Sequence, residues 1–382
     1  MSHPSRAASS SMVDPGIAIT TGLLIGIGVV MSYSATAALA LDAKVPPLFF
    51  EHLLGLFLGL AAATLAYSIP SSLIRRLAMP FWGLAVALLL ATLLFGIEVN
   101  GAQRWIALPW LRFQPGEIAK CATLIAVAAW LSRKDDRREL STRRSVQAAG
   151  IALLPATLLL LQPDLGNSVV LVVLAAGLLF IAGTPWPRFV LPGVAGIVLV
   201  GLYIVNNDYA WRRVMGFLDP FREARGAGWQ LVQSYIAFGQ GDLLGQGLGN
   251  GRQKLEYLPE VHTDFVLALI AEELGLIGVL VVLGAFAALW VAGTRAAQRA
   301  TDRFDLLCAF GMVSLLTVPA FLNASVVMGL VPTKGLTLPF LSYGRTSLVV
   351  SCFALGILLG VARRHPARPT HSTGEGTWQS AG

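Results

Sequence analysis

The chain has 382 residues, of which 55% are hydrophobic and only 13% charged, about half the charge fraction of a soluble domain. That excludes the two or three soluble domains its length alone would suggest. The net charge of +7 does not mark a nucleic-acid binder, because the basic residues gather in short segments between apolar runs, as in membrane proteins.

Residues 1–14 form a polar, Ser-rich tail. No small-residue cleavage site follows the first apolar run, so that run reads as a retained span. Ten candidate spans follow, at 15–38, 48–68, 80–97, 115–131, 146–161, 165–183, 188–206, 265–291, 306–328 and 340–362, each near the ~20 residues that cross a bilayer. The expectation is an all-α polytopic membrane protein with a single ten-helix domain over 15–362. Six basic residues lie in 132-SRKDDRRELSTRRS-145. Arg75 and Arg76 follow span two, Arg295, Arg299 and Arg303 follow span eight, and Arg363, Arg364 and Arg368 follow span ten. The positive-inside rule then places both termini in the cytoplasm. The polar tail 363–382 reads as disordered. Cys121, Cys308 and Cys352 all sit in apolar runs without paired spacing, which excludes a disulfide frame or a zinc site.

On the opposite side lie 98–117, the large extracytoplasmic loop 207–264 between helices seven and eight, and 329–339. The large loop shows no obvious helical periodicity, and a loop of that length is more often functional than idle. Its segment 239-GQGDLLGQGLGNG-251 is either a flexible turn region or backbone that approaches a ligand closely. It matches neither a Walker A loop nor a dinucleotide fingerprint.

Several polar residues fall at this outer edge. Glu117 and Lys120 are three apart on one helix face. They either neutralise each other or line a cavity where Lys120 meets an anion. Arg104, beside Trp105, is either an interfacial anchor or a two-pronged phosphate ligand. Lys334, Arg212 and Arg213 are further outer-side cations, and Glu51, His52 and Asp164 lie near the same face. Asp164 is placed to cap span six. Asp264 follows His262 and Thr263 at the mouth of span eight, with no basic residue three or four positions away. It either favours the helix dipole or serves as a general base. Glu272 and Glu273 point to different faces from Asp264 and read as structural pairing groups.

The stretches 100-NGAQRWI-106, 113-FQPGEIAK-120, 162-QPDLGN-167, 228-GWQLVQS-234, 242-DLLGQGLGNGRQKLEYLPEVHTDF-265 and 331-VPTKGLTLPFLSYG-344 resemble the SEDS family (shape, elongation, division and sporulation), its division members more than its elongation members. The resemblance implies a multi-pass enzyme of the cytoplasmic (inner) membrane. Such an enzyme polymerises lipid II into peptidoglycan glycan strands at the outer face, at the division septum. It works beside a class B penicillin-binding transpeptidase and other divisome membrane proteins. Carried over by motif, Asp264 in HTDF is the family's essential carboxylate, while Arg104, Glu117, Lys120 and Lys334 fall in its other polar motifs. Trp105 and His262 adjoin these motifs and join the candidate substrate-binding set. Two departures stand out: 114-QPGE-117 replaces a QPSE-like motif, and Arg345 in 341-LSYGRTS-347 replaces a small residue. Arg345 is expected either to help bind pyrophosphate or to disturb a close helix contact. Glycosyl transfer with inversion requires a base for the attacking hydroxyl and cations for the leaving pyrophosphate. Asp264 is the expected base. A divalent cation, Mg²⁺ or Mn²⁺, can clamp the pyrophosphate, in which case Asp264 is a metal ligand. A lipid II flippase and a non-catalytic division scaffold are the rival readings from other functional classes.

Overall fold

The structure, a computed structural model, describes residues 13–37, 46–99, 102–108, 111–133, 140–222, 226, 228–254 and 262–366. Both terminal tails, the charged stretch 134–139 and part of the large loop, 255–261, lie outside the described residues.

Helices dominate: α1 (Pro15–Ala37), α2 (Pro47–Ser68), α3 (Ser71–Phe95), α4 (Pro115–Leu131), α5 (Thr142–Leu161), α6 (Leu165–Ile181), α7 (Pro187–Asn206), α8 (Asp208–Leu218), α9 (Trp229–Gly241), α10 (Val266–Arg299), α11 (Arg303–Val327) and α12 (Arg345–Arg364). Local chemistry sets many of their starts. Asp14 accepts from the Gly16 and Ile17 amides, Ser141 from Arg144, Asn207 from Ala210 and Asp302 from Phe304, each satisfying a donor left over by the first turn. Pro115 opens α4, where its missing N–H costs nothing. Among the described residues, eight helices are long and apolar enough to cross a membrane. Helices α4 and α6, at 17 residues each, occupy two more of the expected spans.

Three expectations need correction. The chain is not wholly helical: β1 (Ile97–Val99), β2 (Ala102–Leu108) and β3 (Leu111–Phe113) form an antiparallel sheet before α4. The large loop is not irregular throughout, because α8 and α9 lie in it. Arg75 and Arg76 stand on α3, which begins earlier than the hydropathy suggests; both are exposed.

The core centres on α4 and α11. Every α4 residue except Ile118 and Trp130 is buried. Its run of alanines lets α3, α5, α6 and α11 pack closely around it, the small-residue mode of helix association in membranes. Helices α2 and α12 use glycines in the same way. A Cβ at Gly59 would lie 2.9 Å from the Cys352 sulfur, and one at Gly356 would run into the Ala63 carbonyl. Helix α7 has no buried residue and is apolar between Arg188 and Asn206 at its ends, as lipid contact requires.

Helix α10 is broken. Gly275 takes φ 67° and ψ −167° inside it, because the Gly-rich segment presses into that point. A Cβ on Gly275 would lie 2.5 Å from the Leu243 carbonyl oxygen. The amides of Leu276 and Ile277 turn to the carbonyls of Asp242 and Leu243 at 2.9 and 3.3 Å. The break resolves a length problem. At ~1.5 Å per residue, the 34 residues of α10 would far overrun a ~30 Å hydrocarbon core, whereas the part after Gly275 is close to the length of a tilted span.

Glu272 and Glu273 end the first piece and clasp the Gly-rich segment. Glu272 accepts from the amides of Arg252 at 2.6 Å and Gln253 at 3.2 Å. Glu273 bonds Lys254 Nζ at 2.9 Å, the Ser34 hydroxyl at 2.7 Å and the Gly249 amide at 3.1 Å. They are structural groups, as their spacing suggests, but most of their partners come from the loop and not from neighbouring helices.

Candidate active site

At one end of the bundle, the β-sheet, the α5–α6 corner, the α11–α12 loop and the residues before α10 meet. The corner is fixed first. Asp164 caps α6, accepting from the Asn167 amide at 3.2 Å and from its side chain at 2.8 Å. The Asn167 side-chain Oδ1 accepts from Lys120 Nζ at 2.7 Å, and Lys120 bonds Glu117 at 2.8 Å. All four side chains are buried. Lys120 is therefore engaged by Glu117 and Asn167 inside the bundle.

Arg104 reaches the same corner from β2. Its Nε donates to the Gln162 carbonyl at 3.4 Å, and Nη2 donates to the Pro163 carbonyl. Trp105, one residue on, faces the other side of the strand and lies under the Arg112 guanidinium at 5.8 Å. The strand thus separates Arg104 from Trp105.

Lys334 arrives from the α11–α12 loop. Its stem lies over Gly166, where a Cβ would come within 2.6 Å of Cε. Burial lowers its amine pKa to about 8. Asp164 opposes that shift, while the Arg104 and Arg213 charges add to it. Arg213, on α8, donates to the Thr333 carbonyl at 3.1 Å. Among the described residues, three cationic groups share one neighbourhood with Asp164 and, one loop residue on, Asp264. A cluster of guanidinium and amine groups of this kind suits a multiply charged anion.

Asp264 is held beside this cluster by the next residue of the same loop. A Cβ at Gly335 would lie 2.6 Å from Asp264 Oδ2, so a side chain there would push the carboxylate aside. Asn323, fully buried on α11, donates through Nδ2 to the Asp264 carbonyl at 2.7 Å and to the Leu336 carbonyl at 2.6 Å. It ties the turn to the loop. The Tyr343 amide donates to the His262 carbonyl at 2.8 Å, and the two rings meet edge to face at 5.8 Å. Asp264 does not itself cap α10; Phe265 holds that position. Among the described residues no three His, Cys, Asp or Glu side chains converge as a metal-holding group. A Mg²⁺ ion carried on substrate phosphates needs only one or two protein carboxylates, a demand that Asp264 alone fits.

The family described as cell cycle protein, which takes in FtsW, RodA and SpoVE, matches residues 16–366. The chain belongs to this family. It is 42% identical over 349 residues to a probable peptidoglycan glycosyltransferase FtsW of Geobacter metallireducens, covering 90% of this chain and 92% of that one. It is 40% identical over 343 residues to the protein of the same description in Trichlorobacter lovleyi, covering 89% and 90%. Among solved structures, a chain of a peptidoglycan synthase complex that coordinates polymerization and crosslinking superposes with TM-score 0.76 at 30% identity, over 92% of this chain and 98% of that one. The rod shape determining protein RodA of Thermus thermophilus superposes with TM-score 0.68 at 29% identity, over 94% and 98%.

Of the residues singled out in the sequence of this family member, Arg104, Lys334, His262 and Asp264 come to one end of the molecule. Glu117 and Lys120 stand one layer behind, supporting the corner. Asn323 and Asn167 escaped sequence reasoning. The available signal for each was an amide side chain in an apolar helix, which must find partners when buried.

Proposed function

We propose that the chain is a peptidoglycan glycosyltransferase that polymerises lipid II at the outer face of the cytoplasmic membrane during septal wall synthesis. One observation carries the reading. Consecutive residues of one loop, Lys334 and Gly335, join the cation cluster and seat the Asp264 carboxylate. A base and an anion site therefore lie side by side, as glycosyl transfer from a lipid diphosphate demands.

In this reading the acceptor sugar's 4-hydroxyl attacks the donor's anomeric carbon from the face opposite the diphosphate. Asp264 takes the hydroxyl proton. The new glycosidic C–O bond forms as the anomeric carbon–diphosphate bond breaks. Arg104, Lys334 and Arg213 stabilise the charge that collects on the leaving diphosphate. A divalent cation, if bound, adds charge neutralisation on those phosphates with Asp264 as its protein ligand. His262 orients the turn through its contacts with Tyr343, and Trp105 serves the interface and not the anion.

In this reading ten helices span the membrane with both termini cytoplasmic. The arginine contacts Arg299–Asp14, Arg364–Asp305 and Arg363–Tyr67 lie at the end away from Asp264, which agrees with that orientation. A transport path is disfavoured, because Glu117, Lys120, Glu272 and Glu273 are all engaged in structural contacts. The solved synthase complex supports a class B transpeptidase as partner, and the relatives described as FtsW favour division over lateral growth.

The test is glycan formation from lipid II by purified wild type and Asp264→Asn, each with its transpeptidase partner blocked by a β-lactam. Polymer from wild type alone is expected. Equal polymer from Asp264→Asn removes Asp264 from the chemistry. No polymer from either, beside a working control, overturns the reading.

A further inference from the structure

We propose that Glu51 and Arg345 are positioning residues that set the Asp264 turn through Tyr343. The catalytic part of this inference rests on the glycosyltransferase reading above. Arg345 opens α12 with its side chain laid along α2. Its Cγ stands 3.4 Å from the position of a Cβ on Gly55, and its Nη2 lies 3.7 Å from Glu51 Oε2. Gly55 and Glu51 are four apart on α2, one above the other on the same face. The cation is thus turned toward α2, with its stem packed against the Gly55 face.

The same Glu51 oxygen accepts from the Tyr343 hydroxyl. Burial and the neighbouring Glu51 carboxylate both raise the Tyr343 pKa, so the phenol remains a donor. From Tyr343 the linkage continues by backbone: its amide holds the His262 carbonyl at 2.8 Å, and its ring meets the His262 ring, two residues before Asp264. The series Arg345, Glu51, Tyr343, His262 therefore ties the α2–α12 pair to the carboxylate. The Arg345–Glu51 pair is part-exposed, with side chains 27% and 39% accessible. Its effect is to hold the Glu51 carboxylate in place; such pairs contribute little energy of their own.

The test uses the full chain with its transpeptidase partner. A Thr263→Cys probe reads the turn directly, since Cys121, Cys308 and Cys352 are buried. In Glu51→Ala and Tyr343→Phe backgrounds the maleimide labelling rate at position 263 is expected to rise about tenfold, the shift produced by losing one hydrogen bond. On the unlabelled background kcat is expected to fall about tenfold with KM within about twofold. Glu51→Gln, which keeps an acceptor, restores most of kcat, and Arg345→Lys retains more than Arg345→Ala. Labelling that does not change overturns the proposal whether or not polymer forms. Faster labelling with kcat intact overturns the catalytic part. If wild type makes no polymer, the glycosyltransferase reading fails on its own, and the labelling rate still decides whether Glu51 and Tyr343 hold the turn.

Discussion

Replacing Lys254 by Met should loosen the clasp between the Gly-rich segment and the broken helix. Lys254 Nζ bonds Glu273 at 2.9 Å, Ser34 at 3.1 Å and the Gly249 carbonyl at 2.6 Å, with side chains 7% exposed for Lys254 and 0% for Glu273. Removing one partner of a buried pair costs ~3–5 kcal/mol, because the remaining charge stays buried. Glu273 keeps the Ser34 hydroxyl and the Gly249 amide, so the low end applies, about 3 kcal/mol. The segment is a loop pinned to a helix end, and the loss should appear as local opening and not as global unfolding. A cost of ~3 kcal/mol is about two decades in an opening equilibrium. Hydrogen exchange reads it at the amides of Gln246, Gly247 and Arg252, which bond the Glu272 carbonyl, the Glu273 carbonyl and the Glu272 carboxylate. Their protection should fall by about two decades in Lys254→Met, and much of it should return in Lys254→Met/Glu273→Gln, where no charge is stranded. Unchanged protection in the single variant, or a double variant no better than the single, refutes the clasp.

Lys334 gives a pH prediction with two opposite signs. Its amine titrates near about 8 in the fold, against an ordinary 10.5. Between those values the unfolded chain binds the proton that the folded chain has released, so this group's contribution to stability rises with pH. Anion binding runs the other way, since the cation is lost as pH rises through about 8. The apparent KM for the lipid diphosphate donor should therefore climb above that pH, and Lys334→Arg should flatten the climb; an unaltered profile in that variant removes Lys334 from donor binding. Asn323→Ala strands the carbonyls of Asp264 and Leu336, at ~1–3 kcal/mol for each buried unpaired group, so chemical denaturation in detergent should show a loss of ~2–6 kcal/mol. Lys120→Met leaves Glu117 buried without its cation and should destabilise by ~3–5 kcal/mol. Lys120→Met/Glu117→Gln should recover most of that stability and retain polymerisation. A folded double variant without turnover would instead give Lys120 a direct role on the substrate.

The helical plan was legible because apolar length is a strong signal, and among the described residues eight helices are long and apolar enough to cross a membrane. Asp164 as a cap and Glu117–Lys120 as a pair were legible too, since both follow from spacing within one helix. Contacts between distant segments were not. Nothing in the residues of α10 alone foretells that Gly275 breaks it, because the cause is the backbone of Leu243 pressing in from thirty-two residues away. The short sheet was missed because β2 reads as an interfacial stretch and its partner strands are three residues each. Arg104 and Trp105 looked like a pair in sequence, yet a strand turns neighbours to opposite faces.

Two lysines approach one corner, and their different fates explain how the site is built. Lys120 rises from within α4 and meets Glu117 and Asn167, a neutral buried set that fixes Asn167 and, through it, both oxygens of Asp164. Lys334 reaches the same Asp164 from a loop, after those oxygens have been engaged, and with two guanidinium groups nearby. The Asp164 charge thus favours the protonated Lys334 and offsets only part of the cluster's positive charge. The inner lysine makes the corner rigid and neutral; the outer one leaves it positive where the loop also seats Asp264. Preorganised charge of this kind acts on a transition state without having to reorganise first, and it exists here only because the neutral network behind it is complete.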